Sequence, residues 1–286
     1  MYEENRNPFF EVKREKCLTE SGIDTGKDVL LNSETNDVLG IVSKGYELVQ
    51  NKDVDEIFEE SLEGFGVKIV KKIDHLDSKT RRWKRWLILD GDSLNFDING
   101  IGDVTSIMVE VFNGYNAKTS FGFNVMGYRW YCENGMITGR KALFNANFPH
   151  FIDNPEKLHP AFQLSFENFQ MIADIWNVWA GQSFSQANFK EFVEKYTKEK
   201  GVKKAGAFLP PKIGEKLINE YPNLLIGQKL PDTKWGAFNA LTWMTTHGTS
   251  ARQGSNVFSS GYNNFSRLID KFYNDECHDT DLIPVK

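Results

Sequence analysis

The hydrophobic period of this chain changes once, and that change sets the fold class. Up to about residue 138 apolar side chains recur in short alternating runs. Phe121, Phe123 and Val125 alternate with Ser120, Gly122 and Asn124, the pattern of a sheet with one covered and one open face. After Pro149 the period becomes helical: Phe166, Phe169, Ile172, Ile175, Trp176 and Trp179 follow Ser165 and stop at Gly181, and Phe189, Phe192, Val193 and Tyr196 follow Ser185 and stop at Gly201. Strands first and helices afterwards predict an α+β chain, a mostly antiparallel twisted sheet with one or two packed helices followed by a helical C-terminal region.

Within the strand region, Val38–Ser43 and Tyr46–Val49 flank Lys44-Gly45 and are expected to form a hairpin. Asn51 or Asp53 caps a helix that buries Val54, Ile57, Phe58 and Leu62 and ends at Gly64. Strands are expected at 67–74, 82–90, 104–113 and 118–126, the last two joined through Asn113-Gly114-Tyr115-Asn116. Beyond Ser185 a helix opens at Pro211, another carries Trp235, Phe238, Leu241 and Thr242, and a last one carries Tyr262, Phe265, Ile269 and Phe272. Gly248–Asn256, with Arg252, reads as a loop. Residues 1–37 hold nine acidic and five basic side chains with little periodicity, so they are expected as an arm. Residues 38–148 are expected as the sheet-and-helix core and 149–286 as a helical region packed on it, because no Pro/Gly/Ser-rich linker divides the two.

At 286 residues, 40% of them hydrophobic, the chain is long enough to bury roughly three quarters of its unfolded surface. No uncharged apolar run approaches the roughly 18 residues of a membrane span. The opening MYEENRNPFF is acidic where a signal peptide is basic and then apolar. A cytoplasmic protein without a membrane partner is expected. The three cysteines, Cys17, Cys132 and Cys277, have neither disulfide-framework nor zinc spacing. The five histidines lie in no HExxH, and no nucleophile elbow or phosphate loop is present. The residues therefore imply no catalytic group, cofactor or metal, and Trp176, Trp179, Trp235 and Trp243 fit helical core stripes.

Charge is the most informative feature. The net charge is −5, yet residues 68–85 hold eight cations against Asp74 and Asp77, while 47–63 hold seven acids against Lys52. Lys71, Lys72, Lys79, Arg81, Arg82, Lys84 and Arg85 fall on neighbouring strands with Trp83 and Trp86 interleaved, and Lys118 and Arg129 extend the candidate strip. Cations beside flat aromatic surfaces suit a single-stranded nucleic acid, with phosphates on the cations and bases on the rings. The competing reading makes both tryptophans core residues and leaves the cations solvated at a sheet edge or paired with the acidic helix. A second cluster, Asp90, Asp92, Asn95, Asp97 and Asp103, has oxygen ligands for a hard cation but breaks the EF-hand spacing.

Val38-Leu-Gly-Ile-Val-Ser43 running into Gly45-Tyr46, with Arg129-Trp-Tyr-Cys132-Glu-Asn134-Gly-Met136 much later, resembles the phage/plasmid-like protein family, known mainly as domain of unknown function 932. Its pattern is an LG-x-V-S-x-x-Y opening and an R-x-x-C-x-N-x-hydrophobic close, matched here over roughly 38–140. Where the family often carries an Asp-Gly-Ser hairpin, this chain has Tyr115-Asn116-Ala117, so no role of that aspartate is carried over. The resemblance implies a mobile-element protein encoded among replication and recombination genes, with no established catalytic residues. Element order alone is also similar to phage single-strand annealing proteins. The resulting expectation is a non-catalytic single-stranded DNA-binding protein, with strand annealing in a homo-oligomer, in the cytoplasm of an infected or mobile-element-carrying bacterium. Two alternatives stand beside it: a metal-dependent nuclease using the acids at 90–103, and a phage protein that binds a host protein through helix 53–63 and Asp275-Glu276.

Overall fold

A computed structural model describes residues 7–77, 81–91, 94–100, 102–119, 121–130, 134–136, 145–148, 158–199, 201, 204–246 and 260–277. Lys79, Asp92, Cys132, His150, His247, His278 and the 248–256 loop with Arg252 lie outside the described residues. The strands are β1 (Val12–Leu18), β2 (Asp24–Asn32), β3 (Val38–Ser43), β4 (Lys68–Leu76), β5 (Arg82–Asp90), β6 (Asn95–Asp97), β7 (Val104–Gly114), β8 (Phe121–Arg129), β9 (Asn134–Met136) and β10 (Asn145–Phe148). Helix α1 (Asn51–Gly64) falls among them, and α2 (His159–Gly181), α3 (Gln186–Tyr196), α4 (Pro211–Gly227), α5 (Lys234–Thr246) and α6 (Ser260–Glu276) follow. The fold class is α+β, with antiparallel pairing throughout the named strands.

The chain divides into two compact units. The first comprises Met1–Gly91, Met108–Val125 and Phe144–Ser165. It holds β4, β5 and β10, with residues 108–114 of β7 and 121–125 of β8, from the larger sheet ordered β10-β8-β7-β5-β4, and α1 buries Val54, Phe58 and Leu62, each one turn from the last, so a single stripe faces inward. Phe58, Phe123 and Phe162 meet beneath it with ring centroids 4.8 to 6.1 Å apart. The expected caps of α1 are displaced by one residue. Gln50 occupies the cap position without bonding the helix by its side chain, and the Asn51 amide donates instead to the Tyr115 hydroxyl at 2.7 Å.

Residues 12–32, expected as part of an arm, form two strands of a three-stranded sheet ordered β1-β2-β3. Only Val12 and Leu30 of this segment join the core made with Phe10, Leu39, Val42 and Tyr115. The alternation is therefore confined to a few positions, too few to announce a sheet. Val38–Ser43 does form a strand, but it pairs with β2, and 46–50 carries no ladder. Gln50 explains the difference: its amide accepts from Val12 N at 2.9 Å and donates to Val12 O at 3.1 Å, so one side chain holds the place of a strand beside β1.

The β2–β3 register slips at Leu39, which lets both Leu39 and Gly40 face the covered side. Gly40 lies against the β7–β8 turn so closely that a Cβ there stands 2.1 Å from the Tyr115 carbonyl oxygen. The turn itself is held by Asn116, whose Oδ1 accepts from the Lys118 and Thr119 amides.

The second unit comprises Asp92–Ile107, Met126–Leu143 and Phe166–Lys286. Helix α2 begins at His159, six residues before the start expected at Ser165, whereas α3 and α4 begin where the sequence indicates. Ser185 and Asn188 form a reciprocal capping box on α3, and Pro211 opens α4. Trp176, Trp179, Trp235, Phe238 and Phe272 are buried together, and the Trp176 indole donates to the Tyr273 hydroxyl at 2.6 Å. Wide aromatic faces thus pack in this core alongside aliphatic side chains such as Leu241, Leu268 and Ile269. No described helix is long and apolar enough to cross a membrane.

Gly40→Ala should cost about 1–3 kcal/mol, because the added methyl meets backbone and cannot be relieved by a rotamer change. Gly45→Ala, with nothing within 4 Å of its Cβ, should stay within about 0.5 kcal/mol of wild type. Paired urea denaturation curves check both.

Candidate nucleic-acid interface

The β4–β5 hairpin pairs Leu76 with Trp83, Asp74 with Arg85 and Lys72 with Leu87, so these share one face of the sheet. His75, Lys84, Ile73 and Trp86 share the other. The sequence places the two tryptophans on opposite faces, and the structure does the same. Both are covered, Trp83 to 1% and Trp86 to 3% exposure. Their indole N–H groups are also engaged, Trp83 with Asp74 at 2.8 Å and Trp86 with Glu110 at 3.0 Å. Neither offers a ring face for a base to stack on.

On the α1 side, Arg85 is 8% exposed and forks to Asp74 through Nε and Nη2, at 2.8 and 2.7 Å. Its Nη1 donates to Asp55 at 2.6 Å, and its guanidinium carbon lies 4.6 Å from the Phe9 ring centroid. Glu59 stands 3.7 Å from Arg85 and bonds Lys72. The basic hairpin and the acidic helix thus neutralise each other across one interface. Asp55 has one buried oxygen without a partner. Burial first, with Glu59 adding to it, pushes its carboxyl up to about 6 against the pull of Arg85.

On the other face Glu110 is fully covered and accepts from Lys84 at 2.9 Å, Trp86 and Asn124. Burial pushes this carboxyl up, but Lys84 and the three donors more than offset it and hold it below the ordinary range. His75 lies edge-on to Trp86 at 4.4 Å, and burial takes it down to about 4, so it is neutral near pH 7. Sequence reading missed Glu110 as the centre of this group. Its signal was present: one carboxylate inside the apolar run Ile107–Phe112 has to be paired.

Arg129 belongs to the second unit and is 2% exposed. It donates to Asp103 at 2.6 Å and reaches the side-chain and backbone oxygens of Gln228. Trp235 donates to the second oxygen of Asp103. This pair sits in the interior, so Arg129 presents no charge to a polyanion and Asp103 no oxygen to a metal. Asp97 accepts twice from the Gly102 amide, and no group of three metal-ligating acids, histidines or cysteines occurs among the described residues. Burial pushes Cys277 up to about 12, leaving an uncharged thiol near neutrality.

Arg81, Arg82 and Lys118 come together differently. Arg82 pairs with Gly114 in the β5–β7 register, and the Tyr115 amide donates to the Arg81 carbonyl at 2.7 Å. The start of β5 at Arg81 and Arg82 therefore lies beside the β7–β8 turn that carries exposed Lys118. Asp77 accepts from the Arg81 amide and from Arg82 Nε, and Arg81 Nη2 donates to the Val38 carbonyl. Among the described residues, Arg81, Arg82 and Lys118 share this sheet end with the Asp77 carboxylate. Lys68 and Lys72 lie exposed along β4, which ends the order of the larger sheet.

Arg85→Ala should cost about 3–5 kcal/mol, since it strands Asp55 and Asp74 in a partly buried site. Asp55 makes a separate prediction. Its folded-state pKa is raised, so its contribution is full below the ordinary carboxylate value and is lost as pH rises through about 6. Between pH 4 and pH 7.5, Asp55→Asn should flatten this part of the stability profile, as read by chemical denaturation at each pH.

No curated protein and no solved structure matches the chain. A family model does match, over residues 38–266. The match opens at Val38, the first residue of β3, and runs past the Arg129 motif through α5 into α6, so it takes in the strands from β3 onward and most of the helical region and leaves out β1 and β2. On that span the chain belongs to the family described as Domain of unknown function (DUF932).

Proposed function

We propose that the protein binds single-stranded DNA without catalysis, and that the contact is made by the basic sheet end at Arg81, Arg82 and Lys118. The observation that carries this reading is the register that sets the start of β5 against the β7–β8 turn, with Arg82 opposite Gly114 and Tyr115 N on the Arg81 carbonyl. It gathers cations from two separate turns at one place, with Asp77 as the carboxylate among them. Phosphates suit such a site because each exposed cation releases a counterion on contact. Trp83, Trp86, Arg85 and Arg129 act in this reading as structural residues, and recognition is electrostatic rather than by stacking.

The resemblance of the Val38–Tyr46 and Arg129–Met136 motifs to phage and plasmid proteins supports a mobile-element role in the bacterial cytoplasm. Strand annealing is the fuller form of the proposal. It requires repeated subunits, because a single basic end spans few of the roughly 4–16 nucleotides typical of one single-strand module.

Fluorescence anisotropy with a short labelled single strand tests the site. Three phosphate contacts give a slope of about −2 in log affinity against log salt. Replacing Arg81, Arg82 and Lys118 together by alanine should bring the slope near zero while the urea midpoint changes little. Binding that the triple variant retains in full overturns the site. Magnesium-dependent cleavage of the strand by the wild-type chain overturns the non-catalytic reading.

A further inference from the structure

The three-stranded sheet has a second face that the core does not use. Opposite the covered side chains of Val12, Leu30, Leu39 and Val42, the register aligns Lys13 with Leu31 and Val38 in one row, and Glu15 with Val29 and Ile41 in the next. Val38 is 48% and Ile41 52% exposed, and Val29 and Leu31 are half-buried. Four aliphatic side chains therefore form a contiguous patch, bordered on β1 by one cation and one anion. Apolar patches of this kind on a sheet are more often contact surfaces than solvent-facing ones.

We propose that this face packs against the same face of a second copy of the chain. The two-fold axis runs across the strands, through the row Arg14–Leu30–Gly40 that separates the two rows of the patch. A rotation about that axis keeps each strand over its own counterpart and reverses its direction. Leu31 is then laid on Val29 of the copy, Val38 on Ile41 and Lys13 on Glu15, with every contact made twice. The strands of the two sheets run aligned, as in ordinary face-to-face packing at about 10 Å. Lys13 and Glu15 are the argument for a second copy over a different occupant. They stand one row either side of the axis, so the face is complementary to itself in charge as well as in shape.

Two further observations favour the face over other routes to association. The edge of β1 is engaged at Val12 by Gln50, and the Val38 carbonyl of β3 accepts from Arg81, so edge-to-edge pairing is obstructed. The opposite charges of the β4–β5 hairpin and α1 are spent on each other within one chain, Lys72 on Glu59 and Arg85 on Asp55, so they do not drive head-to-tail contact.

Light scattering on the full chain without DNA, over a concentration series, tests the arrangement and leaves the DNA reading to its own experiment. The wild-type mass should approach twice 32.8 kDa. Val38→Asp with Ile41→Asp should return it to that of one chain with an unchanged melt, both positions being exposed. Lys13→Glu should weaken the dimer by about tenfold through two repulsive contacts. Adding Glu15→Lys to it should restore wild-type association, because the pair is then exchanged on both copies. A wild-type chain that stays at 32.8 kDa throughout, a dimer that survives the double aspartate change, or a double charge exchange that fails to rescue each overturns the proposal.

Discussion

A guanidinium taken out of water has to be paired, and the first unit is organised around that requirement at Arg85. Asp74 from the neighbouring strand and Asp55 from α1 close on it, and Phe9 and Trp83 cover it. The pairing fixes which face of β4 and β5 receives the helix. It also fixes the helix rotation, because Asp55 has to reach Arg85 while Val54 and Phe58 remain beneath. Hydrophobic burial alone would permit small rotations of α1, whereas the 2.6 Å bond from Arg85 to Asp55, made by a guanidinium already held by its fork to Asp74, does not.

The same requirement decides how the basic strip is to be read. Eight cations in eighteen residues look like a polyanion site only while their partners are unknown. Once Arg85, Lys84, Lys72 and Arg82 each have a carboxylate within reach, the field that a phosphate meets is much weaker than the local composition suggests. In the proposed reading, what remains for recognition is the end of β5 at Arg81 and Arg82 rather than the middle of the hairpin. The buried Glu110 works in the same way on the opposite face, drawing in Lys84 that would otherwise point to solvent. In the second unit the Arg129–Asp103 pair is again interior, so the motif arginine that marks the family pattern supports structure there.

Much of the element order was legible from side-chain pattern alone. The α1 stripe, the alternation in β8, the Ser185 cap and Pro211 are local signals, carried by residues a few positions apart. The failures are equally specific. Residues 12–32 were not recognised as strands because few of their side chains are buried, so the two-residue period barely registers. The 46–49 strand was expected from the two-residue turn Lys44-Gly45 between strand-like runs, but a distant backbone group, Val12, took the hydrogen bonds of Gln50 instead.

By itself the sequence determined the fold class, the positions of most helices and strands, the opposite placement of Trp83 and Trp86, and the motif residues that led to the family. Period, capping and turn chemistry act between near neighbours, and that is all a sequence displays. Only the tertiary structure decided that both tryptophans are interior, that the acids of α1 answer the cations of β4 and β5, that Arg81, Arg82 and Lys118 share one sheet end, and that Val29, Leu31, Val38 and Ile41 form one open face. Each of these joins residues far apart in the chain through a strand register or a buried charge, and the burial that forces a charge to find a partner does not exist until the chain has folded.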